Sequence, residues 1–286
     1  MKKGNVSDMI NAFTAQITNM LDNDNKIGLL AMMEDNGYPH AVFVNTIMAL
    51  NENTLAWGQF IQGMSKRLLP EQKKAAFLAI TQQMEVIRGK AVYSHEEKNG
   101  ETFESFNKKP LFRYNSYFGI EKAHLMDLKY LLEPEKLSMA KIVIGALASR
   151  LAAAGVKPTG KVMNSKTRSL FMQLDGLKFI VYQDDDGFPW IVPCIQAAPV
   201  GRTSIVFSLQ PYGNELMKIP KGARVAVYFT NMQLQSVMIK GTYRGIGRHL
   251  GVKSGVVDVE MVYNPMPPAS GYIYPREPLC KVTTFS

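Results

Sequence analysis

Cysteine is nearly absent from this 286-residue chain; only Cys194 and Cys280 occur. Two thiols without C-x-x-C spacing exclude a disulfide framework. Histidine is almost as scarce. His40, His95, His124 and His249 are scattered, without ligand spacing, so neither a zinc centre nor a catalytic triad is expected. No window of ~20 residues is free of charged and polar groups, so no membrane span is expected. The start, "MKKGNVSDMINAFTAQI", has two lysines but no long apolar stretch behind them, so no signal peptide is expected and the expected location is cytoplasmic. A G-x-x-x-x-G-K-[ST] loop is missing, which excludes P-loop phosphate transfer. Ser65 lies in "GMSKR" and not in a G-x-S-x-G elbow.

What is present is apolar. Hydrophobic residues make up 46% and aromatics 10% of the chain, enough to fill one large core or two ordinary ones. The net charge of +9 is spread along the chain and forms no tail. Charge spread in this way reads first as ordinary solubilising charge; as a partner signal it suits a phosphate-bearing small ligand better than a nucleic acid, and no nucleic-acid partner is expected.

The chain also repeats itself. "EDNGYPHAVFV" from Glu34 returns as "DDDGFPWIVPC" from Asp184. Asp35, Gly37, Pro39 and Val42 fall on Asp185, Gly187, Pro189 and Val192, 150 positions on. "TLAW" falls on "SIVF" and "AAFLAIT" on "VAVYFTN" at the same offset, and "IRGK" falls on "IKGT" at 152. Ordered matches of this kind point to an internal duplication.

Each copy reads as short strands joined by turns. In the first, apolar spacing predicts a helix from Ser7, as N-cap, to Leu21. "KIGLLAMME" reads as a strand and Asn36-Gly37 as a primed hairpin turn. "HAVFVNTIMAL" is the return strand and "LAWGQF" the third. "SKRLLPEQKK" is a short basic helix, followed by strands at "AAFLAIT" and "EVIRGKAVY". Between the copies, "PEKLSMAKIVIGALASRLAAAGVKPTG" is a connecting helix stopped by Gly155 and Pro158, which stands in for an N-terminal helix of the second copy. The expected fold is mainly β with flanking helices (α+β): two tandem six-stranded antiparallel split β-barrels. Their bounds are 1–135 and 161–286, with the helix at 136–160.

"GIGRHLG" from Gly245 is followed by another strand pattern, so it reads as a hairpin loop and not as a dinucleotide fingerprint. Asp184, Asp185 and Asp186 read as a solvated turn. "WGQFIQGMSKRLL" carries more. Ser65, Lys66 and Arg67 open a helix after a Gly-containing loop, which brings backbone N–H groups, a hydroxyl and two cations together as a phosphate site would.

In this order, the helix, "DNGYPH", "LAWGQF", the Ser-Lys pair, "AAFLAIT" and "VIRGKAVY" resemble the FMN-binding split-barrel family related to pyridoxamine 5'-phosphate oxidase. The resemblance runs from Asp8 to about Tyr93, and more weakly from Leu177 to about Tyr243. It implies FMN in a groove between two barrels, here an intrachain pseudo-dimer or a homodimer. Ser65, Lys66 and Arg67 match the segment that holds the phosphate. Gln59 matches a polar contact to phosphate or ribityl. Val44, Asn45 and Thr46 match the stretch along the isoalloxazine edge, largely through backbone groups. The chain departs from the oxidase in three places. His40 is the nearest residue to its basic strand residue, Met84 replaces its Gln, and its C-terminal Trp and Arg motif is not recognisable. In the second copy, "SLQPYGNELMKIPKG" lacks the Ser-Lys pair and leaves Lys218 and Lys221 poorly placed. The resemblance implies an FMN flavoprotein, an oxidoreductase passing electrons or hydride to a small molecule other than pyridoxamine phosphate. A non-catalytic flavin-binding or sensing protein, and a haem-binding relative with a His axial ligand, are the alternatives.

Overall fold

The structure, a computed structural model, describes residues 9–60, 64–109, 119–158, 161–231, 233–266, 269–278 and 280–281. These divide into two compact units. The first takes the described residues up to Met33 and Val42–Leu137; the second takes Glu34–Ala41 and Ser138–Lys281. Among the described residues no helix is long and apolar enough to cross a membrane.

The first sheet contains β1 (Met9–Ile10), β2 (Lys26–Met33), β3 (Pro39–Phe43), β4 (Met48–Ala49), β5 (Thr54–Gln59), β6 (Lys74–Thr81), β7 (Glu85–Glu97), β8 (Lys122–Leu132) and β9 (Glu135–Lys136). Its order is β3-β2-β6-β7-β8-β5-β4, with β1 on β8 and β9 on β7. The second sheet contains β10 (Leu177–Gln183), β11 (Pro189–Pro193), β12 (Ala198–Val200), β13 (Ser204–Ser208), β14 (Arg224–Thr230), β15 (Ser236–His249), β16 (Val252–Asn264), β17 (Ala269–Tyr274) and β18 (Cys280–Lys281). Its order, β11-β10-β14-β15-β16-β13-β12, repeats the first strand for strand. The helices are α1 (Ala15–Asp22), α2 (Met64–Gln72), α3 (Glu101–Lys108), α4 (Met139–Ala154), α5 (Ser165–Met172) and the short α6 (Gly213–Leu216).

Each path therefore has seven strands, one more than the sequence suggests. The return strand of the first hairpin breaks at 44–47. There the Val44 N–H turns to the Gly28 carbonyl at 2.8 Å and the Thr46 hydroxyl turns to Gly58. Val44 presses so close to β2 that a Cβ on Gly28 would overlap its carbonyl.

Backbone register supports the duplication. In the first hairpin, Glu34 N–H donates to Tyr38 O and Gly37 N–H to Glu34 O, both at 2.8 Å. Asp184 and Gly187 repeat these bonds at 2.8 and 2.9 Å. Gly37 and Gly187 sit at φ +77° and +76°. Asn36 is not in the left-handed region, so the turn is a three-residue loop closed by a left-handed glycine and not the expected two-residue primed turn. Trp57 lies opposite His124 in β5–β8, as Phe207 lies opposite Gly255 in β13–β16. The offset of 152 at "IRGK" is corrected by the ladder. Ala76 pairs with Lys90 as Ala226 pairs with Lys240, so the two copies stay 150 apart. Ladder irregularities at Lys90/Ala91 and Tyr93/His95 recur at Lys240/Gly241 and Tyr243/Gly245.

Two helix expectations change. Ser7 lies outside the described residues, and Met9–Ile10 pair with Leu132 and Leu131 as strand. A short apolar pair serves a strand as well as a helix, so periodicity did not separate them. The helix starts after Thr14, whose Oγ1 accepts the Ile17 N–H at 3.3 Å. Its counterpart α5 starts after Asn164, whose Oδ1 accepts the Thr167 N–H at 2.7 Å. The second copy thus has its own N-terminal helix, and α4 is an addition to it and not a substitute.

In the first unit, Leu30, Val44, Leu55, Trp57, Phe77 and Leu131 fill the barrel. On the outer face of β5 and β8, α3 seats Phe106 with Ala56 and Ala123. In the second unit, α4 covers the matching face, packing Ala152 with Ala198, Val206 and Val256. Ser149 Oγ donates to Gly145 O at 2.9 Å and accepts the Ser208 N–H at 2.8 Å. Ser208 Oγ also donates to Gly145 O at 2.9 Å. A Cβ at Gly145 would lie 2.5 Å from the Gln210 carbonyl. Helix propensity favours Gly145→Ala by about 1 kcal/mol, but backbone overlap costs about 1–3 kcal/mol. The overlap should win, and thermal unfolding should show a lower Tm by a few degrees; an unchanged or raised Tm would mean that α4 is not held this close.

The second unit also buries a charge cluster. Lys240, fully buried, forms an ion pair with Glu34 and donates to the Tyr272 hydroxyl at 2.9 Å. Its ammonium lies 5.2 Å from the Tyr272 ring centroid and 5.8 Å from that of Tyr263. His40 donates from Nδ1 to Glu34 at 3.0 Å and meets Tyr263 edge-on. Burial alone would raise the Glu34 carboxyl, but the His40 hydrogen bond and the Lys240 charge outweigh it and hold it at about 2. Burial pulls Lys240 below the ordinary lysine range.

Candidate functional site

The site lies where β5 ends in the first unit. Thr46 ties the 44–47 loop to this end: its hydroxyl donates to Gly58 O at 2.9 Å and accepts the Gly58 N–H at 3.0 Å. The next residue, Gln59, is buried and faces β8. Its Nε2 donates to Glu121 Oε2 at 2.6 Å, and its Oε1 accepts from His124 Nε2 at 2.7 Å. The His124 ring stacks on Trp57, with centroids 4.2 Å apart and planes 15° from parallel. This is a braced wall: an aromatic stack carrying an amide clamped at both ends.

Some buried polar atoms on these elements make no hydrogen bond. Asn45 donates from Nδ2 to Asp24 O at 3.2 Å, while its buried Oδ1 has no hydrogen-bond partner among the described residues. Buried Trp57 Nε1 has none either. An orphaned buried polar atom costs roughly 1–3 kcal/mol, which a hydrogen-bond partner would relieve.

The expected residues divide as follows. Val44, Asn45 and Thr46 lie together on the loop. The Val44 N–H is spent on Gly28, and the Thr46 hydroxyl on Gly58, so neither group is free for a ligand. The Asn45 side-chain acceptor has no such partner. Gln59 is a bracing residue whose amide is engaged at both ends. Ser65, Lys66 and Arg67 fall in the first turn of α2; their side chains lie outside the described residues. His40, the candidate basic residue of the return strand, is instead buried against Glu34 in the second unit. Met84 sits at φ +62° in the β6–β7 turn.

Glu121 and His124 escaped the sequence reading. They lie more than sixty positions beyond Gln59, and only strand pairing brings them beside it. No motif marks them.

At the matching positions the second unit has a different chemistry. Ile195 replaces Asn45, Gln196 replaces Thr46, and Leu209 replaces Gln59. Glu215, Leu216 and Met217 stand in place of Ser65, Lys66 and Arg67. Glu215 accepts from Trp190 Nε1 at 2.8 Å, and Leu216 is buried. A carboxylate at this point opposes a phosphate, and the exposed Lys218 and Lys221 lie beyond it. "GIGRHLG" runs from β15 through a turn at Leu250–Gly251 into β16, a strand–turn–strand without the helix that dinucleotide binding needs. Among the described residues, no group of His, Cys, Asp and Glu is placed to hold a metal.

No protein-family model matches the chain, and a search of curated proteins found no match. Solved structures do match part of it. An FMN-binding protein from Syntrophomonas wolfei aligns at 14% identity and a TM-score of 0.35, over 42% of this chain and 84% of its own. Group A Streptococcus HupZ aligns at 9% identity and 0.34, over 41% and 90%. A Clostridium acetobutylicum protein related to general stress protein 26, described as of the pyridoxinephosphate oxidase family, aligns at 12% and 0.32, over 43% and 92%.

Proposed function

We propose that this chain binds FMN in its first unit and is an oxidoreductase using the flavin to pass electrons or hydride to a small molecule. The observation that carries this reading is the contrast between the copies. The first pairs an orphaned buried acceptor, Asn45 Oδ1, with Ser65, Lys66 and Arg67 at the start of a nine-residue helix. The second has Ile195 and a carboxylate in their places; its one unpartnered acceptor on this loop among the described residues, Gln196 Oε1, lies a residue further on and has no cations beside it in sequence. An acceptor on the 44–47 loop suits the ring N–H of an isoalloxazine, and cations with backbone N–H groups at a helix start suit a phosphate. Thr46, Gln59, Glu121 and His124 would hold the wall rigid. The flavin would supply the electron chemistry when bound; the protein supplies position and electrostatics.

The haem alternative is weaker on the residues. An axial ligand needs a ring nitrogen that can reach the haem, and His40 and His124 are both buried. Absorbance of the purified protein separates the readings: a flavin band near about 450 nm supports FMN, and a band near about 400 nm would overturn it in favour of haem. Turnover of a nicotinamide reductant then separates an enzyme from a sensor.

Asn45→Ile copies the second unit and removes the acceptor. FMN affinity should fall about tenfold, the equivalent of one hydrogen bond of about 1.4 kcal/mol. Fluorescence titration of the apo variant checks this; wild-type affinity would remove Asn45 from the site.

A further inference from the structure

The two copies differ at one further edge. In the first unit, β9 closes the start of β7: Glu85 pairs with Lys136 and Val86 with Glu135. Leu137, buried, donates its N–H to Met84 O at 2.9 Å. Glu135 reaches Arg88 at 2.6 Å. The second unit has the same edge. Leu234, at φ +56°, matches Met84 at +62°. Asn231 Oδ1 accepts the Gln235 N–H at 3.0 Å, as Thr81 Oγ1 accepts the Glu85 N–H at 3.2 Å.

The strand that should close this edge is missing among the described residues. The β15–β16 ladder begins at Met238, opposite Tyr263, which leaves Gln235 and Ser236 without a partner strand on that side. β8 and β16 are offset by 131, since Asp127 lies opposite Thr54 as Asp258 lies opposite Ser204. At that offset the sequence sets Met266, Pro267 and Pro268 against Glu135, Lys136 and Leu137 of the first copy. Proline has no N–H, so Pro268 is unable to make the bond that Leu137 makes. β17 does not substitute. It pairs with Val262 and Tyr263 and so takes the place of β1. A groove of about 380 Å³ remains beside the edge, lined by Lys166, Leu170, Leu234, Val237, Met266 and Ile273 among others. Leu234 is half exposed to solvent at 51%.

We infer that this groove is a peptide-docking site, which takes an extended segment of a partner protein as a short added strand on Gln235–Ser236. The occupant's chemistry follows from β9. An apolar residue donates its N–H to the Leu234 carbonyl and inserts its side chain beside Leu170 and Val237. An acidic residue two positions earlier meets Lys166, the cation of this groove, where the first unit uses Arg88. Main-chain bonds supply affinity and the two side chains supply selectivity, as in other strand-addition sites.

The probe is a labelled peptide of the Leu131–Ser138 sequence, LLEPEKLS, titrated into the full chain by fluorescence polarisation. Saturable binding is expected, with a Kd of about 10–100 μM. Leu234→Asn suits the left-handed backbone and removes the apolar wall, so it should weaken binding about tenfold with the fold intact. Methylating the backbone nitrogen of the peptide's second-to-last residue, the counterpart of Leu137, should cost as much, because it removes the N–H donor. Absence of saturation at about 1 mM, or indifference to both changes, would overturn the proposal. Binding seen only after removal of residues 282–286 would also overturn it, since the occupant would then be this chain itself.

Discussion

Glu34→Ala is expected to destabilise the protein by about 3–5 kcal/mol, the usual cost of leaving a buried charge without its partner. Lys240 has no solvent to turn to, and Tyr272 alone does not neutralise it. Replacing both members, as Glu34→Leu with Lys240→Met, removes the charge itself and should recover most of the loss. The pH dependence has a definite sign. The folded carboxyl sits at about 2, below the ordinary unfolded value of roughly 4.3. Its contribution is therefore complete above about pH 5 and is lost as pH falls through 2. That shift corresponds to about 3 kcal/mol. Urea unfolding at pH 7, 4 and 2.5 should show the gap between wild type and Glu34→Ala closing. A gap that stays constant with pH would mean that the carboxylate charge is not what stabilises this cluster.

Lys66→Ala should weaken FMN binding by roughly one to two orders of magnitude. A charge-assisted hydrogen bond to phosphate is worth roughly 1.5–3 kcal/mol, and each 1.4 kcal/mol is about tenfold. Its counterpart is Leu216, buried beside a carboxylate, so the second unit has no equivalent residue to lose. Lys218→Ala is the control, and the exposed Lys218 should change affinity by less than a factor of about two. Unfolding midpoints of both variants should match wild type. Equal losses from the two replacements would mean that the ligand is held by diffuse positive charge and not by a site.

The repeat was legible because turns are written in few residues. Asn36-Gly37 and Asp186-Gly187 announce a hairpin, and the left-handed glycine is required in both. Alternation and β-branched runs then gave most strands of each sheet. The break at Val44–Ile47 was not legible, because it depends on a bond from Val44 to Gly28 and another from Thr46 to Gly58. The slip at "IRGK" was an error of local likeness: two Gly-containing strings matched better out of register, and only the ladder corrected it.

The candidate site was less visible. Ser65, Lys66 and Arg67 are adjacent and basic, so they stood out. His124, Glu121 and Trp57 form their wall across a strand pair whose partners are distant in sequence. His40 misled for the opposite reason. Its place in a strand suggested a ligand contact, while a buried acid six positions before it had already taken its proton donor.

Mass spectrometry and flavin absorbance on cofactor released from a known amount of purified chain test the central claim most directly. One FMN per chain is the predicted result, from the site proposed in the first unit, since the second has Glu215, Leu216 and Ile195 at the matching positions. Two flavins per chain, or none after reconstitution with excess FMN, would contradict it.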